Sequence, residues 1–157
     1  MTTTDISLPD VLDAAWRAAQ EQSLGYAGSV PPVAAWLLVQ QQLAVLVDVR
    51  SAEERHFVGH VPGSIHVPWA TGTALSRNPR FVRELEARLA AHGGKDSVAL
   101  LLCRSGKRSV LAAQAAEAAG FRHVFNVQEG FEGELDALQQ RGHGDGWRYH
   151  QLPWVQD

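Results

Sequence analysis

One cysteine, Cys103, lies in a sequence context that indicates chemistry. It follows the apolar run 98–102 and precedes Arg104-Ser105-Gly106-Lys107-Arg108, after which the alanine-rich stretch 110–119 begins. This order predicts a buried strand, a cationic loop and a helix, with the thiol at the strand's carboxyl end, where α/β sheets bind ligands. A helix N-terminus and three cationic side chains favour anions and help a thiol to ionise. The sequence therefore predicts an activated thiolate in an anion-binding loop.

The alternative for Cys103 is a small, inert core residue, which is what a lone cysteine at the end of an apolar strand usually is. A core cysteine does not need Arg104, Lys107 and Arg108 beside it. Placing those charges near a core is costly without an anion, so the reactive thiolate is favoured. This interpretation requires a sulfur that a donor can reach and that titrates unlike free cysteine.

Composition limits the classes of protein that the chain can represent. The 157 residues fit one domain, and 45% hydrophobic with 20% charged residues is typical of a globular protein. A net charge of −3 gives no general attraction to nucleic acid, and no apolar run is long enough to span a membrane. A single cysteine excludes an internal disulfide and a four-cysteine metal site. No secretory signal is visible, so we expect a cytoplasmic protein without a cofactor.

Periodicity predicts alternating helices and strands. Helices are expected at 8–22, from Pro31 or Pro32 to about 42, at 51–57, from Asn78-Pro79 to 93, and at 110–119. Strands are expected at 44–49, 65–67, 98–102 and 124–127. This alternation predicts an α/β fold in which helices cover both faces of a central parallel sheet. We expect an N-terminal helical extension at 1–29, the main domain at 30–140 and a tail packed on it at 141–157.

Three segments together resemble the single-domain rhodanese-like sulfurtransferase family. They are Leu46-Val47-Asp48-Val49-Arg50 with Glu53-Glu54, then Gly59-His60-Val61-Pro62-Gly63-Ser64-Ile65, and finally residues 103–109. The resemblance covers roughly residues 30–130, and it is specific because all three segments match in order and spacing. It implies the rhodanese-like α/β fold. The closing segments 146–148 and 152–154 are also similar to a tail in some bacterial members.

The resemblance implies a thiosulfate sulfurtransferase with Cys103 as its nucleophile. Cys103 would take a sulfane sulfur from thiosulfate or a similar anionic donor, become a persulfide, and pass the sulfur to cyanide, a thiol or a protein acceptor. Backbone N–H groups of the loop would hold the outer sulfur, and its cationic side chains would hold the donor. The residues implied to bind substrate are Arg104, Ser105, Gly106, Lys107, Arg108 and Ser109. The chain has no second cysteine, so an external acceptor and ping-pong kinetics are expected.

Two other functions stay open at this point. The first is a sulfur-carrier or interaction module that receives sulfur from a partner and turns over thiosulfate poorly. The second, less favoured, is a cysteine phosphatase or arsenate reductase, whose C-x5-R loop would need arginine at position 109, where this chain has serine. Among rhodanese-like proteins, a six-residue loop such as 103–108 goes with sulfur substrates.

Supporting residues are expected at the end of strand 44–49. Asp48 either pairs with a loop arginine while Arg50 holds Glu53 or Glu54, or forms a structural ion pair at the strand end, which we favour. Arg55 reaching the pocket mouth is a further alternative. The turn 130–133 either closes the pocket or begins a helix. No metal site is expected, because no two histidines form a ligand pair at helical spacing with a third ligand nearby.

Overall fold

The computed structural model describes residues 8–157. The first seven residues lie outside the described chain, and with them the start of the expected 1–29 extension and the segment on which the prediction about a secretory signal rests. The helices are α1 (Asp10–Glu21), α2 (Pro32–Gln40), α3 (Ala52–Phe57), α4 (Phe81–Leu89) and α5 (Lys107–Ala118). The strands are β1 (Ser29–Val30), β2 (Val45–Asp48), β3 (Ile65–His66), β4 (Ala70–Thr71), β5 (Ser76–Arg77), β6 (Val98–Leu102) and β7 (His123–Val127).

Five strands form one parallel sheet in the order β1-β7-β6-β2-β3. The two apolar runs that predicted buried strands, β2 and β6, are direct neighbours, and Asp48 lies opposite Leu102 in their register. The N–H of Val49 continues this pairing by donating to the Leu102 carbonyl at 2.9 Å. The carboxyl ends of β2 and β6 are therefore side by side, which places the segments after Asp48 and Leu102 at one edge of the sheet.

Alternation along β6 divides the core into two layers. Ala99, Leu101 and Cys103 face a cluster that includes the buried residues of α4 and α5. Leu100 and Leu102 face the opposite cluster, to which α1, α2 and the tail contribute. The period of two along the strand puts Cys103 on the α4–α5 side. The predicted parallel sheet with helices on both faces is confirmed.

Some elements differ from the expectation. The short strand β1 and the antiparallel hairpin β4–β5 were not predicted. Helix α4 begins at Phe81 instead of directly after Asn78, because the Asn78 side-chain oxygen accepts the N–H of Arg80 and forms a turn first. None of the helices between residues 8 and 157 combines the length and apolar character that crossing a membrane requires.

The segment 141–157 lies against the sheet's second layer. Trp147 is fully buried there, and its indole N–H donates to the Pro153 carbonyl at 2.9 Å. Val155 pairs with His60 through two backbone hydrogen bonds of 2.8 and 2.9 Å. The tail is thereby joined to the Gly59-His60-Val61 segment, far from it in sequence.

Candidate active site

The sulfur of Cys103 lies inside the turn made by the loop between β6 and α5. The N–H of Gly106 donates to Cys103 Sγ at 3.1 Å. Gly106 has a φ of 98° and is the N-cap of α5, so a residue that accepts the left-handed region turns the chain back over the sulfur. The first N–H groups of α5, which have no intrahelical acceptor, are at the same end of the sheet. This arrangement can stabilise negative charge on sulfur.

Cys103 is more deeply buried than the sequence led us to expect for a reactive thiol. Only 1% of the residue is exposed, and it packs in the α4–α5 layer of the core. Access to Cys103 is therefore the property that separates a reactive thiol from a structural one.

The turn 130–133 is joined by backbone hydrogen bonds to the start of the loop that follows β6. The N–H of Phe131 donates to the Cys103 carbonyl at 2.7 Å, and the next two N–H groups donate to the Arg104 carbonyl at 3.0 and 3.2 Å. Gly130 has a φ of 70°, and a Cβ at this position would lie 2.4 Å from the Arg104 carbonyl oxygen. The segment forms a turn and does not begin a helix, so the helix-start alternative is wrong.

Arg108 is engaged by a carboxylate. Its two terminal nitrogens donate to the two oxygens of Glu54 at 2.7 Å each, and each side chain is 15% exposed. Burial alone would raise the pKa of Glu54, but hydrogen bonds from Arg108 and the Ser51 backbone, with the nearby positive charges, lower that pKa from 4.5 to about 2. Burial opposes the charge of Arg108, while Glu54 outweighs this effect and raises the pKa of Arg108. A cation expected to hold the donor is thus already paired within the protein.

Arg104 presents a different environment. Its Nε is buried and has no hydrogen-bond acceptor among residues 8–157. The side chain lines a cavity of about 400 Å³ beside the loop. The other residues around this cavity are Ser51, Glu53, Glu54, Phe57, Val58, Gly72, Thr73, Leu75, Glu132 and Arg141. Lys107, predicted to lie in the loop, is instead the first residue of α5, which begins three residues earlier than expected, and it is exposed.

Asp48 and Arg50 form a buried ion pair at the end of β2. Arg50 donates to both oxygens of Asp48 at 3.0 and 2.8 Å, and both side chains are fully buried. Arg55 is the second partner of Asp48, at 2.9 Å. Asp48 therefore pairs with these arginines and not with a loop arginine, and the carboxylate that meets the loop is Glu54. Arg50 also donates to the Gly59 carbonyl at 2.7 Å and lies 4.2 Å from the ring centroid of Phe131.

Two buried polar side chains continue from the sulfur into the sheet. Ser109 Oγ lies 3.2 Å from Cys103 Sγ and donates to Asn126 Oδ1. Asn126 Nδ2 donates to Ser29 Oγ at 3.3 Å, and Tyr26 Oη follows at 3.2 Å. Ser109 was predicted to bind substrate, whereas Asn126 was not predicted to be part of the site. The available signal was a single amide side chain within the apolar strand 123–127.

The candidate site offers no metal ligands as a set. Within residues 8–157, no group of three or more His, Cys, Asp and Glu side chains is arranged to hold a metal ion. The chemistry that the geometry supports is that of one sulfur atom, the N–H groups around it and the neighbouring cations.

Comparisons with known proteins agree with this architecture. The structure of Rv0390 from M. tuberculosis superimposes with a TM-score of 0.70 at 40% identity, covering 84% of this chain and 99% of that one. Uncharacterized protein RC0915 of Rickettsia conorii is 30% identical over 123 residues, which are 75% of this chain and 88% of the relative. Thiosulfate sulfurtransferase 16 of Arabidopsis thaliana is 32% identical over 87 residues, 54% of this chain and 68% of the relative.

A further curated relative is the putative sulfur carrier protein YrkF of Bacillus subtilis, 29% identical over 118 residues, which are 73% of this chain and 56% of the relative. The family model for the Rhodanese-like domain matches residues 32–136, two thirds of the chain. This match spans β2, the loop after β6 and the turn 130–133, the same segments that converge around Cys103. The chain therefore belongs to the rhodanese-like domain family.

Proposed function

We propose that this chain is a sulfurtransferase that carries a sulfane sulfur on Cys103 as a persulfide. The observation that carries the proposal is the Gly106 N–H at 3.1 Å from Cys103 Sγ, inside a cationic loop at the carboxyl end of β6. An N–H aimed at sulfur stabilises the charged forms of a thiol and of a persulfide. The names of the Arabidopsis thaliana and Bacillus subtilis relatives support sulfur transfer as the reaction class.

The first half-reaction begins with the thiolate of Cys103 and thiosulfate. The thiolate attacks the outer sulfur of thiosulfate, a sulfur–sulfur bond to Cys103 forms, and the bond inside thiosulfate breaks. Sulfite leaves with the electron pair of the broken bond. Both reactants are anions, so nearby cations and N–H groups lower the barrier by offsetting their repulsion.

The second half-reaction returns the enzyme to its starting state. Cyanide or a thiolate attacks the outer sulfur of the persulfide and removes it, and the Cys103 thiolate is the leaving group. The chain has no other cysteine to attack the persulfide, so the acceptor comes from outside. A free thiol that must stay reduced between turnovers suits a reducing compartment, so the proposal includes a cytoplasmic location.

Within the loop, we assign anchoring of the donor to Arg104. Its Nε has no acceptor among the described residues, and its side chain lines the cavity. Arg108 instead holds α3 against the loop through Glu54. A guanidinium with unused N–H groups suits a sulfonate, whose oxygens accept hydrogen bonds.

A sulfur carrier that receives its sulfur from a protein is the second candidate. One observation favours it: the cavity lined by Arg104 also contains the carboxylates of Glu53 and Glu132, while Glu54 is paired with Arg108. Carboxylates in this cavity repel a free dianion such as thiosulfate and oppose its attraction to Arg104.

The test combines the mass of the intact protein with turnover. After treatment with thiosulfate and removal of the excess, wild-type protein gains the mass of one sulfur atom, while Cys103→Ser gains none, because an alcohol is a weak nucleophile without a general base. If the wild-type protein does not gain this mass, the proposal that the chain is a sulfurtransferase is wrong. Persulfide formation with thiosulfate:cyanide turnover slower than about one per minute would favour the carrier, since enzymes commonly turn over far faster.

A further inference from the structure

Asn126 is an unusual residue for the place where it lies. It is 5% exposed in β7, with apolar neighbours on both sides along the strand. Its register partners are Leu101 of β6 and Ser29 of β1, so its side chain projects from the same face of the sheet as Leu101 and Cys103. A buried amide requires hydrogen-bond partners, and one of those found here is the serine beside the sulfur.

Ser109 has a single hydroxyl proton, and the acceptor of that proton decides which hydrogen bond Ser109 can form with Cys103. A serine hydroxyl has one proton and two lone pairs. Ser109 donates its proton to Asn126 Oδ1, so only a lone pair remains for Cys103 Sγ at 3.2 Å. A lone pair accepts a hydrogen bond from a thiol and repels a thiolate. The hydrogen bond from Ser109 to Asn126 therefore favours the protonated form of Cys103, in opposition to the N–H of Gly106.

We propose that Asn126 is a positioning residue that holds the resting sulfur as a thiol by keeping the hydroxyl proton of Ser109 turned away from it. When Cys103 ionises, the hydroxyl of Ser109 rotates to donate to sulfur and leaves Asn126. The thiolate gains a charge-assisted hydrogen bond while the amide oxygen loses its donor. The inference deepens the proposed function, since it concerns the same nucleophile.

Removing the amide oxygen separates this role from packing. In Asn126→Leu the hydroxyl proton of Ser109 is free to donate to sulfur in every molecule, which favours the thiolate. Because the thiolate is the form that reacts with iodoacetamide, Cys103 should be modified faster in this variant than in the wild type at neutral pH. One charge-assisted hydrogen bond, partly offset by the lower nucleophilicity of a more acidic thiol, gives about a three- to ten-fold increase in rate.

The effect must pass through Ser109 if the proposal is right. In the Ser109→Ala background the Asn126→Leu substitution should leave the alkylation rate unchanged, because no hydroxyl remains to be turned. Asn78→Leu is the matched control: Asn78 is also 5% exposed, but its side chain contacts Pro68, Arg80 and Glu84. Iodoacetamide should modify Cys103 of Asn78→Leu at the wild-type rate.

None of these substitutions changes the charged groups around the sulfur. Those groups are Arg104, Lys107 and Arg108 of the loop and α5, Glu54 of α3, Asp48, Arg50 and Arg55 near β2, and Glu129 and Glu132 of the turn after β7. The pH at which alkylation is half-maximal should fall in Asn126→Leu and should be unmoved in Asn78→Leu. A merely structural role for Asn126 would not shift this pH.

The alkylation rate of folded protein, followed by intact mass, decides the outcome. A wild-type or slower rate in Asn126→Leu would overturn the proposal, because it would mean that the amide presents Nδ2 to Ser109 or only fills space. If the leucine variant does not fold, Asn126→Val repeats the test with a residue suited to a strand. Persulfide formation by wild-type protein is measured separately, so the proposed sulfur transfer and this role for Asn126 fail independently.

Discussion

Arg104 in the loop after β6 and Arg108 in the first turn of α5 have different neighbours. Arg108 is paired with Glu54, whereas the buried Nε of Arg104 has no acceptor within residues 8–157. We expect Arg104→Ala to raise the KM for thiosulfate about ten-fold, the effect of one lost charge-assisted hydrogen bond, with a nearly unchanged free energy of unfolding. Steady-state thiosulfate:cyanide kinetics and urea unfolding measure the two quantities.

Arg108→Ala should give the opposite result. It leaves the carboxylate of Glu54 without its main partner at 15% exposure, so the free energy of unfolding should fall by about 1–3 kcal/mol. The KM for thiosulfate should change less than in Arg104→Ala. A large rise in KM for Arg108→Ala together with a wild-type KM for Arg104→Ala would reverse the assignment of the anchor.

The low pKa of Glu54 makes a prediction about stability at acid pH. Its pKa is lowered from 4.5 to about 2 in the folded protein, so the unfolded chain binds the proton more tightly. The stabilisation is complete above pH 4.5 and is lost as the pH falls towards 2. We expect wild-type protein to exceed Glu54→Gln by about 1–3 kcal/mol of unfolding free energy at pH 6.

The comparison of the two proteins across pH supplies its own control. As the pH falls below 4.5, the unfolding free energies of wild type and Glu54→Gln should converge, as measured by urea unfolding at several pH values. A difference that stays constant down to pH 2 would mean that Glu54 is not held as a carboxylate by Arg108.

Among the elements, those defined by local pattern were predictable and those defined by a partner were not. β6 is a continuous apolar run and β2 is apolar up to Asp48, and the loop between β6 and α5 follows from a strand, a glycine and a helix in sequence. β1 has two residues and exists through its pairing with β7, which no local periodicity reports. The Glu54–Arg108 pair joins residues 54 positions apart, so the sequence offered Arg108 as a free cation.

The turn 130–133 provides a prediction at the scale of elements. In Gly130→Ala, strain at a φ of 70° adds to a Cβ placed 2.4 Å from the Arg104 carbonyl oxygen, so the turn must move away from the loop. We expect persulfide formation to slow by about ten-fold or more, because small displacements of a catalytic loop have large effects on rate. The protein is mixed with thiosulfate, the reaction is quenched after set times, and the intact mass gives the rate of persulfide formation.

Gly63→Ala is the matched control for this variant. Gly63 has a φ of 78°, similar to that of Gly130, but a Cβ there meets nothing within 4 Å. It should therefore lose a similar amount of stability from backbone strain while keeping the wild-type rate of persulfide formation. Equal rates in the two variants would mean that the turn does not control the loop.

Over the whole molecule, a stack of side chains joins the tail to the loop of Cys103. The ring of Phe131 has Arg50 at 4.2 Å and Arg148 at 5.2 Å from its centroid, and Trp154 packs against it edge-on at 6.1 Å. Trp154 also covers Gly59, where a Cβ would lie 2.6 Å from the indole. We propose that the tail 141–157 is part of the machinery that fixes the loop, since the N–H of Phe131 holds the Cys103 carbonyl.

The sequence indicated the tail but not this connection. Residues 142–157 show no periodicity that would assign them to a helix or strand, and their tryptophans indicate only apolar packing. Their partners are Gly59, His60 and Phe131, which lie in two other segments of the chain. Such contacts depend on the completed fold, so they follow from the structure alone.

Replacing Trp154 tests whether the tail acts on the site. Trp154→Ala removes one side of the stack on Phe131, so the turn that holds the loop loses support. We expect the free energy of unfolding to fall by about 1–2 kcal/mol, less than for a fully buried tryptophan because Trp154 is 40% exposed. The rate of persulfide formation should fall about ten-fold, measured as for the Gly130 variant.

Trp16→Ala separates a general loss of stability from an effect on the loop. Trp16 is the same residue type at 37% exposure, but it lies on α1 and lines a separate cavity with Gln20 and Phe121. It should lose comparable stability and keep the wild-type rate of persulfide formation. If both tryptophan variants slow the reaction equally, the loss follows stability and the tail has no particular role. If neither slows it, the loop is held by the turn 130–133 without help from the tail, because the hydrogen bonds from Phe131 to Cys103 then suffice.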